Sequence, residues 1–241
     1  TFVAAIAATR RGYQENIGAL GGRHKAETSG SFVKGSILIL TTWKFREGLI
    51  QSYCLPYLRM IHEAQPGASM FLVTEESEDS LLPKEERLKW EDTLRASKIS
   101  LLPQQYYHFG WRKLLSAPVQ FLKLWWVVVT KDVKYIHCFC TPAGAIGYLL
   151  SITTGRRLVI DSYEPHAESM VENGTWLQNG LPFKILWWFE KQQSKRAWFC
   201  VAAATGMKDY AANKYGVRLK NFAVKPACVD LEMFSFNSKA R

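Results

Sequence analysis

Residues 134–161 read KYIHCFCTPAGAIGYLLSITTGRRLVID and contain three segments with different patterns. The first, 134–139, and the last, 157–161, are short apolar runs without alternation, which is typical of strands buried on both faces. Between them, 143–154 is rich in small residues and is followed by Gly155, a common helix terminator. A strand, a helix and a strand in this order predict two parallel strands joined by a crossover helix.

The same alternation extends along the chain in both directions. Apolar runs predict further strands at 36–42, 69–74, 99–102, 198–202 and 220–224. Helical spacing and helix-terminating signals predict helices at 49–61, 84–96, 114–130, 183–197 and 206–215. The pattern therefore predicts an α/β fold: a Rossmann-like parallel sheet of about seven strands with helices on both faces. In such a sheet, ligands bind beyond the carboxyl ends of the strands.

The composition limits the classes of protein and partner. The chain has 241 residues, 48% of them hydrophobic, and 31 Lys and Arg against 21 Asp and Glu give a formal net charge of +10. This balance excludes disordered and collagen-like chains, and the charge favours an anionic partner such as a phosphorylated molecule, an acidic membrane surface or nucleic acid. No nucleic-acid-binding motif occurs, which argues against the last. The five cysteines form no metal-ligand cluster, so we expect buried free thiols in a reducing cytoplasm and no metal site.

Polar residues are concentrated directly after the predicted strand 157–161. Asp161, Tyr163, Glu164 and His166 combine two carboxylates, a phenol and an imidazole within six residues. Carboxylates accept hydrogen bonds from sugar hydroxyls, an imidazole donates or accepts, and a phenol ring stacks on a sugar face. We expect a functional site here, although a single His is more commonly a satisfied structural residue.

Two other strand ends carry weaker candidates. After the first strand, the start of a helix at Gly48 could hold an anion with its amides, assisted by Lys44 and Arg46; the alternative is a tight turn with solvated basic side chains. No GxGxxG dinucleotide motif is present. After strand 134–139, Thr141 offers a hydroxyl and a helix start, which a plain helix cap explains equally well. His137, inside that strand, is expected to be a core or edge residue.

The paired tryptophans at 125–126 and 187–188 lie in apolar helices, so core packing is the first expectation for both. The alternative is an exposed face with Phe183, Lys184, Trp187 and Lys191, which would suit contact with anionic lipid along the membrane surface.

The C-terminal third carries a recognisable succession of segments. Glu190 in a helix is followed by Ala197-Trp-Phe-Cys-Val-Ala-Ala-Ala-Thr205, Lys214-Tyr-Gly216 and Phe222-Ala-Val-Lys-Pro-Ala-Cys-Val-Asp-Leu-Glu-Met-Phe234. This succession resembles the end of the N-terminal domain of GT-B glycosyltransferases of the retaining, family-4-like group. The first strand and residues 163–168 also fit, so the resemblance covers roughly 36–236. It departs from the family in its Gly-rich turn, reduced to Gly48, and at Lys225-Pro-Ala-Cys228, which replaces an Ile/Val-Pro-Asn-Gly linker.

The resemblance implies a division of the chain and a function. By the resemblance, 35–234 are expected to be the N-terminal domain and 235–241 the start of a linker to a C-terminal domain outside this chain, while 1–34, which lack a sustained helical or strand period, are expected to be a flexible arm or leader. The implied activity is the transfer of a sugar from a nucleotide-sugar donor to a glycan, lipid-linked or other acceptor, in cell-envelope polysaccharide synthesis. No cofactor is implied. Without the donor domain, this half would be inactive.

The resemblance also suggests roles for particular residues and leaves two alternatives open. His166 is the candidate catalytic residue and Gly48 would lie near the donor phosphates. The remaining substrate-binding candidates are Arg46, Thr141, Asp161, Tyr163 and Glu164. The expected location is cytoplasmic, with a peripheral contact at the inner face of the membrane. The alternatives are a non-catalytic basic module that docks to a membrane or protein partner and, less favoured, a sugar-nucleotide epimerase of the same fold.

Overall fold

The structure, a computed structural model, describes residues 35–77, 83–107, 111–161 and 163–225. Within these ranges the strands are β1 (Ser36–Leu40), β2 (Met70–Glu76), β3 (Ile99–Gln105), β4 (Val133–Phe139), β5 (Arg157–Asp161), β6 (Phe199–Ala202) and β7 (Phe222–Val224). The helices are α1 (Leu55–Ala64), α2 (Lys84–Arg95), α3 (Trp111–Thr130), α4 (Thr141–Thr154), α5 (His166–Glu172), α6 (Leu181–Arg196) and α7 (Met207–Tyr215). A π-helical segment, Leu49–Cys54, continues directly into α1.

The strands form one parallel sheet in the order β3-β2-β1-β4-β5-β6-β7. The chain builds outward from β1 to β3, then returns to place β4 beside β1 and builds outward in the opposite direction. The order therefore reverses between β1 and β4. Because open parallel sheets bind ligands at such a reversal, the carboxyl ends of β1 and β4 are where a site is expected.

Helices cover both faces of the sheet. The π-helical segment, α1 and α2 bury one face, which includes Ile39 and Phe139. The opposite face, with Ile136 and Leu158, is covered by α3, α4, α6 and α7. Helix α4 lies very close to the sheet, since a Cβ atom at Gly147 would clash with Cys138 Sγ. No described helix combines the length and apolarity needed to span a membrane.

The predicted fold class is confirmed, and each predicted strand and helix has a counterpart within a few residues. Helix α5 was not predicted, because the sequence after β5 suggested a polar loop. Helix α3 begins at Trp111 rather than at 114 and retains Pro118 in its interior. Cys54, Cys138, Cys140 and Cys200 are buried free thiols, as expected. The predicted arm at 1–34, the linker at 235–241 and Cys228 lie outside the described residues.

Candidate functional site

Thr42 and Cys140 lie side by side where the strand order reverses. Thr42 Oγ1, just after β1, is 3.6 Å from Cys140 Sγ, just after β4. Cys140 has φ 70° and ψ 159°, a conformation populated almost only by glycine, and its N–H donates to the Asp161 carbonyl at 2.9 Å. Backbone strain of this kind is commonly found at active sites and ligand-binding positions.

Thr141, a predicted substrate contact, is the first residue of α4 and is fully buried. Its Oγ1 has no hydrogen-bond partner within the described part of the chain, while Gln193 Nε2 donates to its carbonyl at 3.2 Å. The hydroxyl therefore lies beneath the surface of the site, and a ligand would reach it only after a local rearrangement.

The loop after β1 is held rigidly by the end of β2. Phe45 N–H donates to Glu76 Oε1 at 2.8 Å, and Gln51 Nε2 donates to the Phe45 carbonyl at 2.6 Å. Arg46 forms an ion pair with Glu86 of α2, with its Nε 3.2 Å from Glu86 Oε1. Arg46, predicted to contact a substrate, is therefore paired with a neighbouring helix in this structure, and a bound anion would compete with Glu86 for its guanidinium group.

Gly48 immediately precedes the π-helical segment and is exposed. Its φ of −54° and ψ of −36° are ordinary for any residue, and a Cβ there would meet only Ser52 Oγ, at 3.9 Å. Nothing in the described part of the chain requires glycine at this position. A missing side chain instead leaves room for a ligand to approach the first amides of the helix, where the backbone carries partial positive charge.

His166 and Glu164 form an accessible polar pair at the carboxyl end of β5. His166 Nδ1 is 3.0 Å from Glu164 Oε1, and 29% and 50% of the two side chains are exposed. An ionised carboxylate only accepts hydrogen bonds, so this contact favours the hydrogen on Nδ1. The Nε2 atom is then an acceptor that can bind, or take a proton from, a hydroxyl of a ligand.

Helix α5, which begins at His166, is anchored from below by Glu190 of α6. The buried Glu190 carboxylate accepts the Ala167 N–H and the Tyr215 hydroxyl, each at 2.9 Å. Burial raises the pKa of Glu190 to about 7, although both hydrogen bonds oppose that change. A carboxyl group that would be fully ionised in water is therefore only partly ionised at neutral pH, directly beneath the His166 backbone.

Tyr163 and Glu168 fix the remainder of this segment. Tyr163 is 2% exposed and its hydroxyl is 2.7 Å from Ser194 Oγ. Glu168 accepts hydrogen bonds from Tyr210 at 2.5 Å and from Lys214 at 3.0 Å. Tyr163 therefore anchors the loop in the core, and its ring presents no open face on which a sugar could stack.

Asp161, the last residue of β5, lies at the centre of a buried polar cluster that the sequence did not reveal. Its Oδ2 accepts from Lys225 Nζ at 2.7 Å and from His137 Nε2 at 3.2 Å, and its Oδ1 accepts from the Tyr53 hydroxyl at 3.1 Å. The Lys225 ammonium also lies 3.7 Å from the ring centroid of Tyr57. Asp161 is fully buried, so it supports the site from within rather than facing a ligand.

The protonation states in this cluster follow from its contacts. Burial alone would raise the pKa of Asp161, but Lys225 and the hydrogen bond from His137 outweigh it and lower this pKa to about 2. Burial lowers the pKa of His137, against the opposing effect of Asp161. These effects favour an ionised Asp161 carboxylate beside Lys225 and a neutral His137 imidazole.

The structure therefore separates the seven predicted site residues into groups. Glu164 and His166 are together and accessible, Gly48 is exposed at a helix start, and Arg46 is paired with Glu86. Asp161, Tyr163 and Thr141 are buried beneath the same edge of the sheet. Among the residues that the structure describes, no group of three or more His, Cys, Asp or Glu is placed to hold a metal ion.

Sequence reasoning did not assign His137, Lys225, Tyr53 or Glu190 to this region as supporting groups. For Glu190 a signal existed, since an acidic residue stands alone in an otherwise apolar and basic helix. For the others there was none, because they come from segments far apart in the chain.

No protein-family model and no curated protein matches the chain. Among solved structures, Anabaena Alr3699/HepE, crystallised with UDP and glucose, matches with a TM-score of 0.53 at 14% identity, over 85% of this chain and 47% of that one. Sucrose-phosphate synthase from Thermosynechococcus elongatus matches with a TM-score of 0.58 at 10% identity, over 83% and 49%. A glycosyltransferase from Rickettsia africae gives 0.50 at 12% identity, over 85% and 46%.

The chain therefore has the Rossmann-like fold of one domain of GT-B glycosyltransferases, and it spans about half the length of these proteins.

Proposed function

We propose that this chain is the acceptor-binding half of a retaining glycosyltransferase, which transfers a sugar from a nucleotide-sugar donor to a glycan or lipid-linked acceptor. The observation that carries this proposal is the accessible His166–Glu164 pair at the carboxyl edge of a GT-B-type sheet. The UDP and glucose bound to HepE support a nucleotide sugar as the donor. Family-4 membership and cell-envelope synthesis are part of the same proposal and rest on the sequence resemblance.

In this proposal His166 is the catalytic residue and Glu164 positions it. The carboxylate at Nδ1 leaves Nε2 to accept a hydrogen bond from a hydroxyl at the reacting sugars. Gly48 admits the donor diphosphate to the amides at the start of the π-helical segment. The nucleotide itself would be held mainly by a second domain, whose closure over this one excludes water. Residues 1–241 alone are accordingly expected to be inactive.

The role of His166 is tested with the protein expressed from its complete gene, by measuring transfer and hydrolysis of UDP-sugars. We expect His166→Ala to lower kcat/KM by about 10²- to 10⁴-fold, the usual contribution of a positioned acid–base group. Glu164→Gln should cause a smaller loss, because the imidazole remains but is less well oriented. His62→Ala, in α1, is the matched control and should leave the rate unchanged. Full activity of His166→Ala would refute the assignment.

Gly48 offers a test of donor binding that is separate from catalysis. Gly48→Ala should unfold at the wild-type temperature, because the new Cβ meets only Ser52 Oγ at 3.9 Å. It should nevertheless bind UDP-sugar at least tenfold more weakly, because the added methyl group occupies the space through which the phosphates would approach the helix amides. Gly67→Ala is the control, since a Cβ there meets nothing within 4 Å and the residue precedes β2, at the opposite edge of the sheet. Equal UDP-sugar affinity in both variants would exclude phosphate binding at Gly48.

A second candidate function is a non-catalytic module that docks to a membrane or protein partner. The observation that favours it is the exposed apolar and basic surface of α3 and α6, described below. Thermal unfolding of the protein expressed from its complete gene, with and without UDP-sugars, distinguishes the two: a transferase should be stabilised by the nucleotide sugar, whereas a docking module should not respond.

A further inference from the structure

Helix α3 carries a continuous row of large apolar side chains that no described residue covers. They are Leu115, Val119, Leu122, Trp126 and Val129, with exposed fractions of 66%, 53%, 61%, 64% and 45%. The spacing alternates between four and three residues, so the row follows one side of the helix for about 21 Å at 1.5 Å per residue. The opposite side of α3, with Leu124 and Val128, is buried against the sheet.

The neighbouring helices on this face of the sheet continue the apolar surface. Leu181, Ile185 and Trp188 of α6 and Ile152 of α4 are all about half exposed or more. Core packing, the first expectation for both tryptophan pairs, holds for Trp187, whose ring centroid is 5.6 Å from that of Tyr215, but not for the exposed Trp126 and Trp188. We call the outward side of these three helices the α3–α4–α6 face.

The charges on the α3–α4–α6 face have one sign. The three helices contain a single acidic residue, Glu190, which is fully buried. Their exposed basic residues are Arg112, Lys123, Lys184, Lys195 and Arg196. On the other side of the sheet, α2 carries charges of both signs. Its acidic residues, which stand between basic ones, are Glu85, Glu86, Glu91 and Asp92. On these three helices the exposed charge is therefore entirely basic and accompanies the apolar surface, unlike the mixed charge of α2.

We propose that the α3–α4–α6 face docks onto an anionic lipid bilayer, with the apolar row inserted at the headgroup level and the basic residues against lipid phosphates. Exposed Trp and Leu beside Lys and Arg are the combination that binds bilayer surfaces. Charge complementarity selects this occupant over a second copy of the chain, because two such faces would bring like charges together without a carboxylate to pair them. The inference is independent of the proposed transferase activity.

The test is sedimentation of the chain with vesicles of phosphatidylcholine alone or mixed with phosphatidylglycerol. We expect binding to the mixed vesicles and at least tenfold weaker binding to phosphatidylcholine alone. Leu122→Glu/Trp126→Glu should weaken binding to the mixed vesicles at least tenfold, since two exposed apolar side chains that would insert into the bilayer are replaced by charges. Lys123→Gln should weaken it by about fivefold at low salt, and less at high salt.

The control for an added carboxylate is Leu88→Glu, which introduces one such charge at a side chain of similar exposure, 52%, on α2 across the sheet. It should bind the mixed vesicles like the wild type. Circular dichroism confirms folding, and if Leu122→Glu/Trp126→Glu does not fold, Leu181→Glu/Ile185→Glu on α6 repeats the test.

Three results would overturn the proposal: no binding of the wild type to anionic vesicles, an equal loss in Leu88→Glu, or a dimer that dissociates in Leu122→Glu/Trp126→Glu without any binding to lipid. The last would assign the face to a second copy of the chain.

Discussion

The buried pair of Asp161 and Lys225 provides the sharpest test of how the site is supported. Asp161 is fully buried and the Lys225 side chain is 14% exposed, with their charged atoms 2.7 Å apart. Removing one partner leaves the other charge without its counter-ion, which typically costs about 3–5 kcal/mol. We therefore expect Asp161→Asn and Lys225→Met each to lower the free energy of unfolding by about that amount at pH 7.

The pKa of Asp161 gives an independent magnitude and a pH window. Its pKa falls from the ordinary 3.8 to about 2, which corresponds to about 2 kcal/mol of stability. Because the folded pKa is the lower one, this stability is present above about pH 3.8 and is lost as the pH falls towards 2. In Lys225→Met the pKa of Asp161 should rise, so that the loss of stability on acidification becomes smaller.

The assay is urea unfolding of the wild type, both single variants and the double variant Asp161→Asn/Lys225→Met, at pH 7 and in acid. The double variant should be destabilised by at least 1 kcal/mol less than the sum of the two single variants, since neither charge is then left alone. Additive losses, or an Asp161→Asn variant as stable as the wild type, would show that the two groups are not energetically coupled and would refute the reasoning.

Two further predictions concern Glu190 and Cys140. Burial raises the pKa of Glu190 from 4.5 to about 7, so the folded state keeps this proton up to a higher pH than the unfolded state does. The protein therefore loses about 3 kcal/mol of stability as the pH rises from 4.5 through about 7. In urea unfolding, Glu190→Gln should therefore be as stable as the wild type at pH 4 and about 1–3 kcal/mol more stable at pH 8. If the free energy of unfolding of this variant changed with pH as it does in the wild type, the prediction would be contradicted. Cys140→Gly should be about 1 kcal/mol more stable than Cys140→Ala, the reverse of the usual order, because φ is 70°. Thermal unfolding that ranks alanine above glycine would show that the backbone there is unstrained.

The fold was accessible from the sequence because its information is local. Each buried strand is a short apolar run, and two helices, α4 and α7, end at a recognisable signal, Gly155 and Gly216, both of which have positive φ. Helix α5 escaped prediction because its stability is not local. The side chains of His166 and Glu168 bond to residues outside this seven-residue helix, and the Ala167 amide depends on the Glu190 carboxylate of α6.

The candidate site was predictable only in part. That polar residues after β5 would lie at the carboxyl edge of the sheet follows from the direction of parallel strands, and the structure places Glu164 and His166 there with exposed side chains. That Asp161 and Tyr163 are buried could not be derived, because alternate residues of a strand or loop face opposite ways and the depth of the neighbouring helices decides which are covered.

By itself, the sequence determined the alternation of strands and helices, the parallel sheet and the edge at which chemistry is expected, since apolar periodicity and turn signals act over a few residues. Only the tertiary structure brought His137, Asp161 and Lys225 within hydrogen-bonding distance, although Asp161 and Lys225 are 64 residues apart in the chain. It also decided which tryptophan of each pair is exposed. Contacts of this kind depend on how three strands and a helix pack together, and no local pattern in the chain encodes them.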